Sequence, residues 1–287
     1  MNYLKNIFFA CIISLTFINQ LKPMAYQENK ITSFAGIGNR SNMEDQYQII
    51  ENWNGEKITY LGVFDGHGGR HIAKYLKKYL HETILNIYKQ NNDLIKAIKV
   101  GFNKINQAIQ KLPRYKIGSG SCAIVAFILN DKIIIANCGD SRAVLYKNDP
   151  IVQLSNDHKP DSPTERERIN KAGGKISERF FYESCNVWVP ARLENFSVSR
   201  AFEYFNRDNI VQGLIYEPEI TTYDLQGDEE FLILASDGIW DVLSNEETVN
   251  FVNENKNLKT NISELLYQNA MDKKTRDNCT NIIFRFK

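Results

Sequence analysis

The sequence predicts an α+β domain in which two mainly antiparallel β-sheets pack face to face, with helix pairs outside. Three observations carry this prediction. Uncharged runs of strand length, in YLGVFDGHGG at 60–69 and FLILASDGIWD at 231–241, stop abruptly at Asp-Gly. Two long stretches of helical period follow the first run. A series of short apolar segments with tight turns then reads as a meander of strands, from SCAIVAFI to AVLYKN. Strands and helices in separate blocks are the pattern of a layered α+β domain.

Taken in order, ITSFAGIGNR (31–40) reads as a first strand, then a glycine-bearing turn leading into Arg40. QYQII and ITYLGVF, joined through Trp-Asn-Gly, make a hairpin. RHIAKYLKKYLHETILNIY places Ile72, Tyr75, Leu76, Tyr79, Leu80, Ile84 and Ile87 on one helical face. DLIKAIKVGFNKINQAIQKL does the same with Leu94, Ile98, Phe102, Ile105, Ile109 and Leu112, and Pro113 ends it. SPTERERINKAGG is a short helix with Pro163 near its start and Gly173 at its end. Its charged run at 166–171 reads as a solvated face. Residues 175–215 show no clean period and predict a flap-like surface lobe. Ser244 and Glu247 form a capping box that opens the helix NEETVNFVNEN. ISELLYQNAM is a last helix, and the chain closes on the strand TNIIFRF.

The 287 residues are 43% hydrophobic and 24% charged, enough for a sizeable core in one domain spanning 28–287. A net charge of +1 gives no field directed at nucleic acid or an anionic membrane, so neither is an expected partner. The five cysteines have no zinc-like spacing and no CxxC, and a disulfide framework is not expected. Residues 1–27 stand apart. IFFACIISLTFI (7–18) is short for a membrane span and fits the apolar region of a secretory signal or an anchor. A translation start at Met24 would instead leave the domain in the cytoplasm.

The strand ends point to chemistry. A buried strand that stops at a carboxylate delivers it to the rim of the sheet, where glycine lets the backbone turn. Asp65 and Asp237 end two such runs, Asp140 ends KIIIANCGD, and Asp277 immediately precedes the last strand. Glu44-Asp45 adds a fifth acidic element. A single Asp-Gly is equally ordinary turn chemistry. Several at one edge would gather repelling carboxylates, an arrangement suited to divalent cations. Oxygen-only ligands favour magnesium or manganese over zinc.

RSNMEDQ (40–46), VFDGHGG (63–69), GSGSCAIVAFI (118–128), ANCGDSRAVLY (136–146), LSNDHKPDSPTERERINKAGG (154–174), FSVSRAF (196–202), LASDGIWDVLSNEE (234–247) and RDNCTNIIF (276–284) occur in that order. The series resembles the metal-dependent type 2C serine/threonine protein phosphatases, and spans nearly everything from about residue 30 onward. The resemblance implies a four-layer αββα sandwich with the site at one edge. It also implies hydrolysis of phosphoserine and phosphothreonine in proteins by a water or hydroxide bridging two Mg2+ or Mn2+ ions. Asp65 matches the aspartate bridging both metals, and Gly66 the residue giving a carbonyl ligand. Asp237 and Asp277 match the other carboxylates on the first metal. Glu44 matches the carboxylate serving the second, with Asp45 beside it as a direct or water-mediated supporter. Asp140 and Asp241 match a third, weaker metal position. Arg40 matches the phosphate-binding arginine and His67 the proposed general acid. The expectation is a monomer acting on phosphoprotein substrates.

Arg200 reads either as a second phosphate contact or as a structural ion pair. His71, His81 and His158 read as helix-surface or turn residues. Where the family usually has Leu-Ala-Val-Ser-Arg-Ala-x-Gly-Asp, this chain has Phe-Ser-Val-Ser-Arg-Ala-Phe-Glu-Tyr at 196–204. Glu203-Tyr204 therefore predicts a reshaped loop, and is the one feature favouring a catalytically silent binding module. A phosphoesterase acting on small molecules is a third reading.

Overall fold

Apolar side chains occupy both faces of the central strands, which is why those strands read as continuous runs without alternation. The computed structural model describes residues 30–113, 118–147, 150–182, 187–203 and 211–286. The segment 1–27 and Tyr204 lie outside the described residues.

The first strands are β1 (Ile31–Gly36), β2 (Gln46–Ile50) and β3 (Thr59–Phe64), followed by the short β4 (Gly66–His67). Helices α1 (His71–Asn91) and α2 (Leu94–Ile109) come next. Strands β5 (Gly120–Ser121), β6 (Ala123–Ile128), β7 (Lys132–Cys138), β8 (Arg142–Tyr146) and β9 (Val152–Gln153) lead to α3 (Pro163–Lys171). The lobe carries β10 (Ile176–Ser177), β11 (Phe180–Tyr182), β12 (Val187–Val189) and β13 (Arg192–Leu193). After β14 (Phe202–Glu203) come β15 (Glu219–Asp224), β16 (Phe231–Ala235), α4 (Asp237–Trp240), α5 (Asn245–Asn255), α6 (Ile262–Asp272) and β17 (Cys279–Arg285).

Two antiparallel five-stranded sheets form, one ordered β1-β17-β16-β8-β9 and the other β15-β7-β6-β3-β2. Leu61, Val63, Ile124, Ile135, Leu232, Leu234 and Ile282 fill the space between them. The alternate residues of the same strands face outward. Tyr60, Phe64, Val125 and Phe127 pack under α1 and α2, while Phe231, Ile233 and Ile283 pack under α5 and α6. The domain is therefore the expected four-layer αββα sandwich. The Ser244–Glu247 capping box is present at the start of α5.

Two readings of the strands and surface need correction. The meander does not stay in one sheet. β6 and β7 pair as a hairpin, but β8 crosses to the other sheet and pairs with β16. The crossing is made at Gly139-Asp140, with Gly139 at φ 128. The charged run on α3 is also not uniformly solvated. Arg168 turns inward to Glu165, which is only 3% exposed.

The lobe is a pair of two-stranded ribbons, β10 with β13 and β11 with β12. Among the described residues no helix is long and apolar enough to cross a membrane.

Candidate active site

Both sheets deliver carboxylates to the same edge. Asp65 follows β3 and Asp140 follows β7 in one sheet, while Asp237 follows β16 and Asp277 precedes β17 in the other. Carboxylate oxygens of Asp65, Asp140 and Asp237 all lie within 4.8 Å of one another. With Asp277, Glu44 and Arg40 these residues line a cavity of about 400 Å³.

Like charges at that spacing repel by about 3–4 kcal/mol per pair at an effective dielectric of 20. Burial, and then the charges of Asp45, Asp237 and Asp140, push the Asp65 carboxyl well above the usual range. Burial with Asp140 and Asp241 does the same to Asp237. One cation already answers this field. Lys159 places its ammonium on the Asp140 carboxylate. Burial disfavours that charge, but Asp140, Asp237 and Asp241 outweigh it and hold the lysine protonated. A single ammonium does not balance three clustered carboxylates, so this oxygen-only donor set fits divalent cations.

Gly66 lies where only glycine fits, since a Cβ there would stand 2.5 Å from the Glu44 carbonyl. Glu44 lines the cavity. Its backbone N–H donates to Asn278 Oδ1 at 2.8 Å, and Asn278 Nδ2 donates to the carbonyls of Ile37 and Asn42. Asn278 thus ties the loop carrying Arg40 and Glu44 to the turn that bears Asp277. In the sequence Asn278 is simply one residue of RDNCTNIIF, and its role needs the two segments brought together in space.

Asp45 turns the other way from Glu44. It is 2% exposed and accepts from Ser236 Oγ at 2.9 Å, inside the junction of the sheets. Burial pushes its carboxyl up to about 6, against the hydrogen bonds from Ser236 and Thr280. Asp241 is exposed and does not line the cavity. Asp140, which the resemblance pairs with Asp241 at a third, weaker metal position, sits within the triad with Asp65 and Asp237.

His67 borders the cavity, and its Nε2 bonds Glu203 Oε1. Burial would lower the imidazole pKa, but the Glu203 carboxylate reverses this and the net shift is upward. Phe196 stands edge-on to the same ring, centroids 5.9 Å apart. The departure at Glu203 noted in the sequence therefore falls against His67.

Arg200 is outside the cavity and is a structural ion pair, with Nη2 donating to Glu165 Oε1 at 2.6 Å. His158 is not a surface residue. It is 2% exposed, with Nδ1 accepting from the Gly139 N–H at 3.2 Å and Nε2 against Glu219. Cys122, Cys138 and Cys279 are buried free thiols. Cys122 borders the cavity, but burial and then Asp140 and Asp65 raise its pKa far above that of a reactive thiolate.

Residues 29–279 match the family model described as Protein phosphatase 2C. The chain is 36% identical over 255 residues to Probable protein phosphatase 2C 69 of Arabidopsis thaliana, covering 88% of this chain and 68% of the relative. It is 35% identical over 251 residues to Probable protein phosphatase 2C 45 of Oryza sativa subsp. japonica, covering 87% and 84%. Among solved structures, serine-threonine phosphatase 2C from Toxoplasma gondii superposes with a TM-score of 0.76 over 90% of this chain and 94% of that one. Its 21% identity makes that likeness one of fold alone. The matched span, the relatives and the fold agree, and the chain belongs to the protein phosphatase 2C family.

Proposed function

We propose that this chain is a magnesium- or manganese-dependent protein phosphatase that hydrolyses phosphoserine and phosphothreonine. The observation that carries the reading is the triad of Asp65, Asp140 and Asp237, gathered in a cavity that also presents Arg40 and His67. When bound, the divalent ions would activate water and neutralise phosphate charge. Asp65, Asp237 and Asp277, with the Gly66 carbonyl and Glu44, would hold the two ions. Asp140 lies within the same triad and would contribute to these ions or to a third. Asp45 would act indirectly, by fixing the segment that bears Glu44.

Arg40 is 56% exposed at the cavity, so the guanidinium donors not engaged by Asp277 and the Arg276 carbonyl are available to a phosphate arriving from solvent. His67 would give a proton to the departing seryl or threonyl oxygen. The domain spanning 28–287 would act as a monomer on phosphoprotein substrates.

The test is release of phosphate from a phosphothreonine peptide, with manganese and with chelator, alongside calorimetric titration of manganese into the metal-free protein. Activity that appears only with metal supports the reading. A folded protein that binds manganese but releases no phosphate would overturn it.

A further inference from the structure

His67 and Glu203 reach each other from opposite edges of the small sheet ordered β14-β5-β4. Gly120, on the central strand, pairs with His67 on one side and with Glu203 on the other. Strands two apart are separated by about 9–10 Å of backbone. Their side chains meet only because the residue between them has none. A Cβ on Gly120 would collide with both Glu203 Oε1 and His67 Nε2.

Glu203 is firmly seated. It is 3% exposed, and its carbonyl accepts from Gln110 Nε2 at 2.6 Å. Phe202 beside it packs on Phe102 of α2, centroids 5.3 Å apart. Taking a carboxylate out of water costs several kcal/mol unless it is paired, and among the described residues the carboxylate's hydrogen-bond partner is His67. Glu203 does not border the cavity, whereas His67 does. The carboxylate therefore holds the imidazole from behind. With Nε2 engaged there, Nδ1 is the ring nitrogen left for the cavity, and Phe196 limits rotation of the ring.

We propose that Glu203 is a positioning residue for His67, accepting the Nε2–H so that the ring is held with Nδ1 toward the leaving oxygen, the proton given up there being the one carried on Nδ1 of the imidazolium. This rests on the hydrolase reading above. It accounts for a buried carboxylate on β14 without assigning it any contact to metal or substrate. The arrangement follows the logic by which a carboxylate orients a histidine in a catalytic triad, built here across a glycine.

The experiment compares two substrates at saturating manganese. A phosphothreonine peptide has a basic leaving oxygen that needs help from His67. In p-nitrophenyl phosphate the nitrophenolate departs without a proton. Glu203→Ala is expected to lower kcat on the peptide roughly ten- to hundredfold, with KM and the p-nitrophenyl phosphate rate changed less than about threefold. Glu203→Gln keeps an acceptor oxygen and should restore most of the peptide rate. The double variant Glu203→Ala/His67→Ala should be no slower than His67→Ala alone.

If Glu203→Ala does not fold, Glu203→Met fills the space without an acceptor and serves the same comparison. Equal losses on both substrates, additive losses in the double variant, or a wild-type peptide rate in Glu203→Ala would overturn the proposal. A nitrogen-15 spectrum of the imidazoles in the metal-free protein gives a readout independent of turnover. The His67 Nε2–H should be resolved in the wild type and lost to exchange in Glu203→Ala, and its absence from the folded wild type would overturn the pairing. Wild-type protein inactive on both substrates would instead remove the hydrolase reading itself.

Discussion

Arg40 Nη2 donates to Asp277 Oδ2 at 2.5 Å while its Nε donates to the Arg276 carbonyl at 3.1 Å. The guanidinium thus grips the turn that carries Asp277 and still stands more than half exposed at the cavity. Those contacts bear on both phosphate and metal, and their magnitudes separate the two effects. Hydrogen bonds to a charged group are worth on the order of 1.5–3 kcal/mol. Arg40→Ala should accordingly raise KM for a phosphopeptide roughly ten- to hundredfold. An exposed ion pair is worth only about 0–1 kcal/mol, so manganese affinity by calorimetry should move less than about fivefold. Lysine at position 40 should recover part of the KM, because it restores charge without the fork. Weakened manganese binding with KM and kcat unchanged once manganese is saturating would make Arg40 a brace for Asp277 alone.

Asp237→Asn should abolish turnover while the metal-free protein becomes more stable. The substitution keeps shape but removes one charge from a triad whose oxygens lie within 4.8 Å of one another. Burial and Asp140 already disfavour that charge in the fold. Thermal unfolding in chelator should show a higher Tm than wild type, and manganese should stabilise the variant less than the wild type. A near wild-type rate at saturating manganese would refute the ligand assignment.

The same electrostatics set a pH dependence for the metal-free protein. Asp45 is raised from 3.8 to about 6 in the fold, and Asp65 and Asp237 are also raised. A carboxyl with a raised folded pKa contributes stability below its unfolded value, and loses it as pH rises through the folded value. Glu165 works the other way. Although burial opposes it, hydrogen bonds from Arg200, Arg168 and Ser199 lower its pKa, so its contribution holds above 4.5 and is lost as pH falls. The Tm in chelator should therefore peak near about pH 4 and decline toward pH 8. Manganese should remove most of that decline, since bound cations hold the carboxylates ionised. A Tm that rises from pH 5 to 8 in chelator would contradict the account.

The strand ends were readable because a charged residue terminating an apolar run leaves few places for the chain to go. The helices were readable for a similar reason: Leu76, Leu80, Ile84 and Ile87 repeat at helical spacing and all are buried. What the sequence did not carry was pairing between distant segments. AVLY is covered on both faces, so its composition cannot say which sheet it joins or that the chain crosses at Gly139. Glu44-Asp45 reads as one acidic element, yet neighbours entering a strand face opposite ways. One reaches the cavity and the other the sheet junction. Glu203 was visible as a departure, but its contact with His67 depends on Gly120, 83 positions away by residue number (203 − 120) and registered by strand pairing.

Arg200 supplies the clearest separation of structure from catalysis. Its side chain donates to both Glu165 oxygens and, through Nη1, to the Glu217 carbonyl at 3.1 Å. Glu165 in turn accepts from Arg168 at 2.7 Å and from Ser199 Oγ at 2.7 Å. The cluster joins α3 to the segment that leads into β14, and so to Glu203. Breaking a buried ion pair costs about 3–5 kcal/mol because the surviving charge stays desolvated. Here Arg168 and Ser199 remain on Glu165, so Arg200→Met should fall near the low end, about 3 kcal/mol in urea unfolding. Inhibition by inorganic phosphate should be unchanged, because Arg200 does not border the cavity. The peptide kcat should drop only modestly, through loosening of β14, and less than in Glu203→Ala. Phosphate inhibition weakened tenfold or more in a variant of wild-type stability would reverse this assignment and make Arg200 a phosphate contact.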